Sequence, residues 1–390
     1  MPASRDIAVC CVPVTYCAAM SGPRVLHVAQ PVDGGVGAYV ASLARDQVRR
    51  GWDVHVACPP AGQLPQALAA VPATHEHWPA GRQPGPGGPA EVARLAAVLR
   101  RVQPDVVHLH SSKAGLVGRL VLRRRLPTLF QPHGWSWLAV TGAVATASRA
   151  WERGGSRWAT ATVCVSQGER REAVAAGVGG DLRVIRNGVD LDRFAKAPDG
   201  EARAALGIAA DVPVAVCVGR LCRQKGQVRL LSAWPAVLRS VPQARLLLVG
   251  DGPDARVLEQ VLPPHAALLG ARSDVPALLA AADVVVLPSR WEGLSLTLLE
   301  ALAAGRSVVT TAVAGSEVVP PDCGAVLPAG PEDDPAVVEQ LVQALTVRLG
   351  SALAGQEGRR AAGYAREHLS LGVTFEALAE LTLTAAGAHR

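Results

Sequence analysis

With 390 residues, 49% of them hydrophobic and 18% charged, the chain has the length of two or three domains and enough apolar content to fold; one small module and extended disorder are excluded. Eight Trp, three Tyr and three Phe, 4% of the chain, are too few for a platform that stacks single-stranded nucleic acid. A net charge of +6, with no basic run longer than Arg123-Arg124-Arg125, suits anionic small molecules or an anionic membrane surface and argues against nucleic acid as a partner.

Residues 1–22 read as a disordered N-terminal extension. Arg5 followed by IAVCCVPVTYCAAM imitates a short signal peptide, but Asp6 precedes the apolar run and Pro13 interrupts it, so a start at Met20 is the simpler reading. A first domain is expected over 23–190. RVLHVA (24–29) is strand-like, QPVDGGVG is a glycine turn, and AYVASLARDQVRRG is a helix closed by Gly51. Strand DVHVAC (53–58) ends at Pro59-Pro60, and a Pro- and Gly-rich surface loop runs from Pro79 to Pro89 before the helix EVARLAAVLRRV. Strands follow at DVVHLH (105–110), TLFQPH (128–133), TATVCVS (160–166) and LRVIRNG (182–188), with a helix, AGLVGRLVLRRR, after the first and a Trp-bearing segment up to about residue 158.

After a polar, Ala-rich stretch over 198–211 the pattern restarts with VPVAVCVGR (212–220), ARLLLVGDG (244–252), HAALLG (265–270), DVVVLP (283–288) and SVVTTAV (307–313). Strands that are nearly all apolar and alternate with helices belong to parallel sheets covered on both faces. The expected fold class is therefore α/β, with two doubly wound, Rossmann-like domains facing a cleft. The second is placed over 191–370, and residues 371–390 form a last helix. Asp283 interrupts the longest apolar run, so no segment reaches the length of a membrane-spanning helix. Cysteines at 10, 11, 17, 58, 164, 217, 222 and 323 show no CxxC and no spacing with His that suits a metal. They read as small buried hydrophobes in a reducing, cytoplasmic setting.

Ligands of doubly wound sheets lie at the carboxyl ends of the strands, and the polar residues of interest fall there. Gly34 and Gly35 follow the first strand, where backbone N–H groups can approach an anion; a tight strand-to-helix turn would use the same glycines. A nicotinamide cofactor is disfavoured, because GVGAYV lacks a third glycine and the second strand ends in Ala57-Cys58 without an acid for a ribose. Arg220 and Lys225 in VGRLCRQKGQ lack Walker A spacing but can clamp a diphosphate, one as a fork and one as a point charge. Of 39 basic residues only Lys113, Lys196 and Lys225 are lysine, so a lysine inside a motif is informative.

SRWEGLSLTLLEALAAG places Glu292 on a loop, Ser295 as an N-cap and Glu300 at least a turn into the helix. The amides of Leu294, Ser295 and Leu296 then face the anionic part of a ligand, and the carboxylates suit sugar and ribose hydroxyls. Leu298, Leu299, Ala301 and Leu302 surround Glu300 with apolar neighbours, so its carboxylate needs a partner. His133-Gly134 ends the fourth strand at the cleft; a structural histidine would look the same. His110, Lys113 and Trp135 are the acceptor-side candidates. Asp190-Leu191-Asp192 imitates a metal motif but follows the turn Asn187-Gly188-Val189, so it reads as a hinge. No metal and no other cofactor is expected, since Arg220, Lys225 and helix dipoles can neutralise the phosphates.

Taken in order, GGVG, HLHSSKAG, PHG, VSQGERR, VIRNGVD, VGRLCRQKG, LLLVGDGPD, ARSDVPALLAAADVVVLPS and EGLSLTLLEALAAG resemble glycosyltransferase family 4, retaining enzymes of the two-domain GT-B fold. The resemblance spans about residues 24 to 388. It implies that Arg220 and Lys225 bind the diphosphate of a nucleoside-diphosphate sugar, for which the family favours UDP. It further implies that Glu300 holds the ribose, Glu292 the donor sugar, His133 the region near the reacting carbon, and that Gly35 approaches the phosphates. The last helix, near GVTFEALAELTLT (372–384), should cross back onto the first domain, although a tyrosine common late in that helix is absent.

Negative charge on the departing nucleoside diphosphate is what fixed cations and amides stabilise. No nucleophile pair is visible, so front-face attack by an acceptor hydroxyl, with the leaving phosphate as base, is the expected route to retention. A nucleotide-sugar epimerase of the same fold and a non-catalytic nucleotide-sugar binder are the competing readings; a pyridoxal-dependent phosphorylase would need a Schiff-base lysine. The acceptor is a hydroxyl on a polysaccharide, a glycolipid or a secondary metabolite. Arginines at 94, 100, 101 and 119–125 and four tryptophans between 135 and 158 suit docking on an anionic membrane with a lipid-linked acceptor. A solvated arginine face and ordinary core tryptophans would read the same way.

Overall fold

The computed structural model describes residues 22–82, 85, 87–194, 199–330 and 334–388. Residues 1–21 of the expected extension, the start at Met20, Cys10, Cys11, Cys17 and Lys196 lie outside them. The apolar runs become strands, the central ones buried on both faces. In the first half these are β1 (Arg24–Ala29), β2 (Asp53–Cys58), β3 (Thr74–His77), β4 (Val106–His110), β5 (Thr128–Gln131), β6 (Ala161–Cys164) and β7 (Leu182–Val184). They form one parallel sheet in the order β3-β2-β1-β4-β5-β6-β7. The second half contributes β8 (Val214–Val218), β9 (Arg245–Val249), β10 (Ala266–Leu268), β11 (Val284–Leu287), β12 (Ser307–Thr311) and β13 (Gly324–Leu327), ordered β10-β9-β8-β11-β12-β13 and also parallel.

Two strands were not anticipated, β3 and β13, and both are edges. β3 reads Thr-His-Glu-His with only Glu76 buried, because an edge strand has no need of two apolar faces. Sequence order reverses between β1 and β4 in one sheet and between β8 and β11 in the other. Such reversals open a crevice at the strand ends. Register sets which side chains share it: His27 of β1 lies beside His108 of β4, and Ala29 beside His110, so the three histidines occupy one face.

Each sheet carries a core on both sides. Leu26, Val28, Leu109, Phe130, Trp135 and Trp137 pack one face of the first sheet, and Val25, Val40, Val56, Phe375 and Leu378 the other. Phe375 and Leu378 belong to the last helix, Leu371–Gly387, which thus completes a core begun more than three hundred residues earlier in the chain. The chain passes between halves where Val189 and Ser370 pair: Val189 N donates to Leu369 O at 2.8 Å and Leu371 N to Val189 O at 3.0 Å. Beside that crossing Asp190 Oδ1 accepts from Arg193 N at 3.1 Å, a turn contact.

Candidate functional site

The second sheet's reversal places Gly219-Arg220 beyond β8 and Pro288–Ser295 beyond β11. Lys225 Nζ donates to Glu292 Oε1 at 2.6 Å, and Ser289 Oγ donates to the same oxygen at 2.7 Å. Gln224 Nε2 lies 3.4 Å from the other oxygen and donates to Trp291 O at 3.0 Å. Burial opposes the Lys225 charge, but the adjacent Glu292 carboxylate outweighs it and raises the Lys225 pKa above its ordinary value. Glu300, in the helix Leu296–Ala303, has its pKa pushed up to about 7 by burial, against the opposing pull of Arg193 and Lys225. Ser295 occupies the N-cap position of that helix, yet its buried Oγ makes no hydrogen bond. Its neighbours at the helix start carry amides with no intrahelical acceptor, a place suited to an anion.

On the first sheet, His133 follows β5 in a left-handed backbone conformation, φ +54°, and Gly134 follows at +106°. A non-glycine residue held there must be fixed by its surroundings. His133 Nε2 is 3.2 Å from His110 Nδ1, His110 Nε2 is 3.0 Å from His27 Nδ1, and His27 Nε2 is 2.7 Å from Gln47 Oε1. Burial lowers the pKa of all four cluster histidines, His108 included; His27 falls to about 4 and His133 to about 3, so the imidazoles are neutral near pH 7. Potential ligand atoms of His27, His108 and His110 lie within 4.8 Å of one another. The 3.0 Å bond between His27 and His110 already uses two ring nitrogens of this group.

The halves meet where these two sets of residues face each other. A Cβ on Gly35, at the start of the first helix, would lie 3.4 Å from Leu296 Cδ1, and Leu296 packs against the cores of both halves. A Cβ on Gly293 would lie 2.7 Å from Gly134 N and 3.0 Å from His133 C, so Glu292 sits one residue from contact with the His133 turn. Arg82, exposed beyond β3, has its pKa lowered by desolvation first and by the like charge of Arg220 second. A separate cavity of about 490 Å³, lined by Arg171, Glu172, Ser316 and Glu317 among others, contains none of His133, Arg220 or Glu300.

Two family models match: "Glycosyltransferase Family 4" over residues 33–193 and "Glycosyl transferases group 1" over 212–346. Alpha-maltose-1-phosphate synthase of Mycolicibacterium smegmatis is 30% identical over 315 residues, covering 73% of this chain and 77% of the relative. This chain belongs to glycosyltransferase family 4. Another relative is the UDP-Gal:alpha-D-GlcNAc-diphosphoundecaprenol alpha-1,3-galactosyltransferase of Escherichia coli, 30% identical over 237 residues; the match spans 57% of this chain and 61% of that enzyme. Anabaena HepE in complex with UDP and glucose has the same fold, with a TM-score of 0.78 at 21% identity over 93% of this chain and 100% of that one. Sucrose-phosphate synthase from Thermosynechococcus elongatus gives 0.79 at 22% identity over 94% and 100%. The architecture of the transferase is therefore GT-B.

Several candidates sit differently from their expected places in the transferase. Trp135 is 2% exposed, stacks on Trp137 with ring centroids 4.7 Å apart, and donates Nε1 to Glu169 O at 2.8 Å. It is a core residue and cannot touch an acceptor, and Trp137 is lost to membrane docking for the same reason. Lys113 is buried in an ion pair with Glu91 at 2.9 Å, so its charge joins two helices and does not face the cleft. His110 is fully buried behind His133 and reaches the cleft through it alone. The Gly34 amide is spent on Gln63 Oε1 at 2.9 Å, which leaves Gly35 and the residues after it to meet an anion. Ser289 and Gln224 stand inside motifs already singled out, but were passed over because only the charged residues of those motifs were weighed as ligands.

Proposed function

We propose that the transferase moves a sugar with retention of anomeric configuration from a UDP-sugar bound in the cleft to an acceptor hydroxyl. The observation that carries this reading is that the paired Lys225 and Glu292 of the second half adjoin Gly293, which packs on the His133-Gly134 turn of the first, while Gly35 packs on Leu296 at the start of the helix that holds Glu300 and Arg220 follows β8 at the strand-order reversal. Arg220 and Lys225 take the diphosphate, and the start of the Leu296–Ala303 helix adds amides, with Leu294, Ser295 and Leu296 lining the approach. Glu300 accepts from the ribose and Glu292 from the sugar hydroxyls, while His133 stands beside the reacting carbon. Charge growing on the leaving diphosphate is met by groups already oriented, and the acceptor attacks from the same face with a phosphate oxygen as base. No metal or other cofactor enters this scheme.

UDP is favoured because a relative and a solved structure are both named with it, although other relatives are named for GDP-mannose. A lipid-linked acceptor follows from relatives named for diphosphoundecaprenol and phosphatidylinositol mannosides, with the protein acting at an anionic membrane face in the cytoplasm. No helix among the described residues is long and apolar enough to cross a membrane. Arg123, Arg124 and Arg125 are exposed, and Arg123 and Arg157 flank Trp158, which provides a basic docking patch. Thermal shifts with UDP-glucose, UDP-galactose, UDP-N-acetylglucosamine and GDP-mannose test the donor. At a hundred times its dissociation constant the true donor stabilises by about 2.7 kcal/mol. Transfer from that donor to a polyprenyl-diphosphate sugar, with inverted product anomer or with none formed, would overturn retention or the acceptor class respectively.

A further inference from the structure

The motif VSQGERR has no part in the scheme above, and its Ser166-Gln167-Gly168-Glu169 has the form of a capping box. In a capping box the serine oxygen accepts from the N–H three residues on, and the glutamate returns to the serine N–H. Half of it forms here: Ser166 Oγ accepts from Glu169 N at 3.0 Å at the start of the helix Gln167–Ala175. The carboxylate goes elsewhere. Glu169 is fully buried, Oε2 accepts from Val165 N at 2.7 Å, and Oε1 accepts from Gly134 N at 2.5 Å. Its own carbonyl takes the Trp135 indole N–H at 2.8 Å. One residue therefore grips the His133 turn through the amide that follows His133 and the side chain after that. The same helix start reaches the other half, where Ser166 Oγ donates to Gly293 O at 2.7 Å and Gly168 N to Glu317 Oε1 at 2.7 Å.

We infer that Glu169 is a positioning residue for glycosyl transfer: it holds the left-handed His133-Gly134 turn against the Glu292-Gly293 loop, so that groups from both halves meet at the donor sugar. This rests on the reading of His133 and Glu292 as residues of the reaction. His133 keeps an unfavourable backbone conformation only if something over-determines it, and the bond that the buried Glu169 carboxyl accepts from Gly134 N is what does so. Glutamine at 169 offers one acceptor oxygen and an NH2 group, so it satisfies one of the two amides and sets a donor against the other.

The test compares Glu169→Gln, His133→Ala and wild type by kcat, by KM for the donor sugar nucleotide and by UDP affinity, with the Gly134 amide followed by NMR in protein labelled with 15N-glycine. Misplacement by about an ångström costs roughly a hundredfold in rate, so kcat of Glu169→Gln should fall about 30- to 100-fold. UDP affinity should stay within about threefold, because Arg220, Lys225 and Glu300 are untouched, and the Gly134 amide proton should move upfield as its bond weakens. Wild-type kcat in Glu169→Gln while His133→Ala is inactive, or an unshifted Gly134 amide, overturns the inference. Full activity in His133→Ala instead overturns the reading of the site on which it rests. If Glu169→Gln fails to fold, Ser166→Ala with the same readouts decides. This variant loses the bond to Gly293 O and should lower kcat about tenfold without changing UDP affinity; unchanged kcat there contradicts the coupling of turn and loop.

Discussion

Among the described residues two lysines do opposite work, and their environments explain why. Lys113 and Glu91 are both nearly sealed from solvent, with Glu91 also accepting from Gly81 N at 2.8 Å. Lys113→Met strands a buried carboxylate and should cost about 3 kcal/mol in urea unfolding, with donor affinity unchanged. Lys225, by contrast, faces Glu292 at the mouth of the site, where a diphosphate can claim its charge. Lys225→Met should weaken UDP binding about 10- to 100-fold in calorimetry, the range of one charge-assisted hydrogen bond. Retained affinity would refute the clamp. Glu300 adds a pH signature. Its folded pKa of about 7 lies above the ordinary 4.5, so the folded protein binds the extra proton and this group's contribution to stability falls as pH rises across that window. Ribose hydroxyls prefer the ionised carboxylate, so affinity for a UDP-sugar, whose phosphates do not titrate there, should rise between pH 6 and 8. Glu300→Gln should flatten that rise, and equal slopes in the two proteins would remove Glu300 from the ribose.

At the scale of elements, the last helix shows which contacts carry stability. Phe375 is buried and meets Tyr39 edge-on with ring centroids 6.0 Å apart, whereas Glu376, 65% exposed, forms a surface pair with Arg50. Phe375→Ala should cost about 3 kcal/mol by leaving a cavity in the first core, and Glu376→Ala less than about 1 kcal/mol, both read from urea midpoints. This contrast also explains what could be read from the chain beforehand. Strands such as β1 and β8 were legible because burial on both faces leaves a continuous apolar run. The separation of Glu292 and Glu300 was legible because a loop and the helix that starts after Ser295 fix it locally. β3 was hidden by its polar edge, and Trp135 by the fact that a tryptophan beyond a strand end suits a core or a rim equally well. Glu169 was hidden for a different reason. A capping box is recognised from four consecutive residues, but this carboxylate is drawn away by an amide thirty-five positions earlier in the chain.

For the molecule as a whole, the proposed transfer needs groups from both halves to meet, and a glycine lies where the halves touch. The Gly293 backbone lies against the His133 turn so tightly that an added Cβ would stand 2.7 Å from Gly134 N and 2.8 Å from Glu169 Oε1. Neither neighbour can yield: one is backbone and the other is held by two hydrogen bonds. Gly293→Ala should therefore wedge the halves apart, and the widening acts where Glu292 and His133, on the proposed reading, address the same substrate. The nucleotide, whose proposed contacts lie mostly on the second half, should bind within about threefold of wild type, while kcat falls about a hundredfold because the proposed reacting groups from opposite sides no longer converge. Small-angle scattering should show a larger radius of gyration for the variant, most clearly with UDP bound, since UDP cannot draw the first half inward past the new methyl. An alanine variant with wild-type kcat and unchanged dimensions would mean that the halves reach their reactive arrangement without this contact, and that the domain approach seen here is not the one in which sugar is transferred.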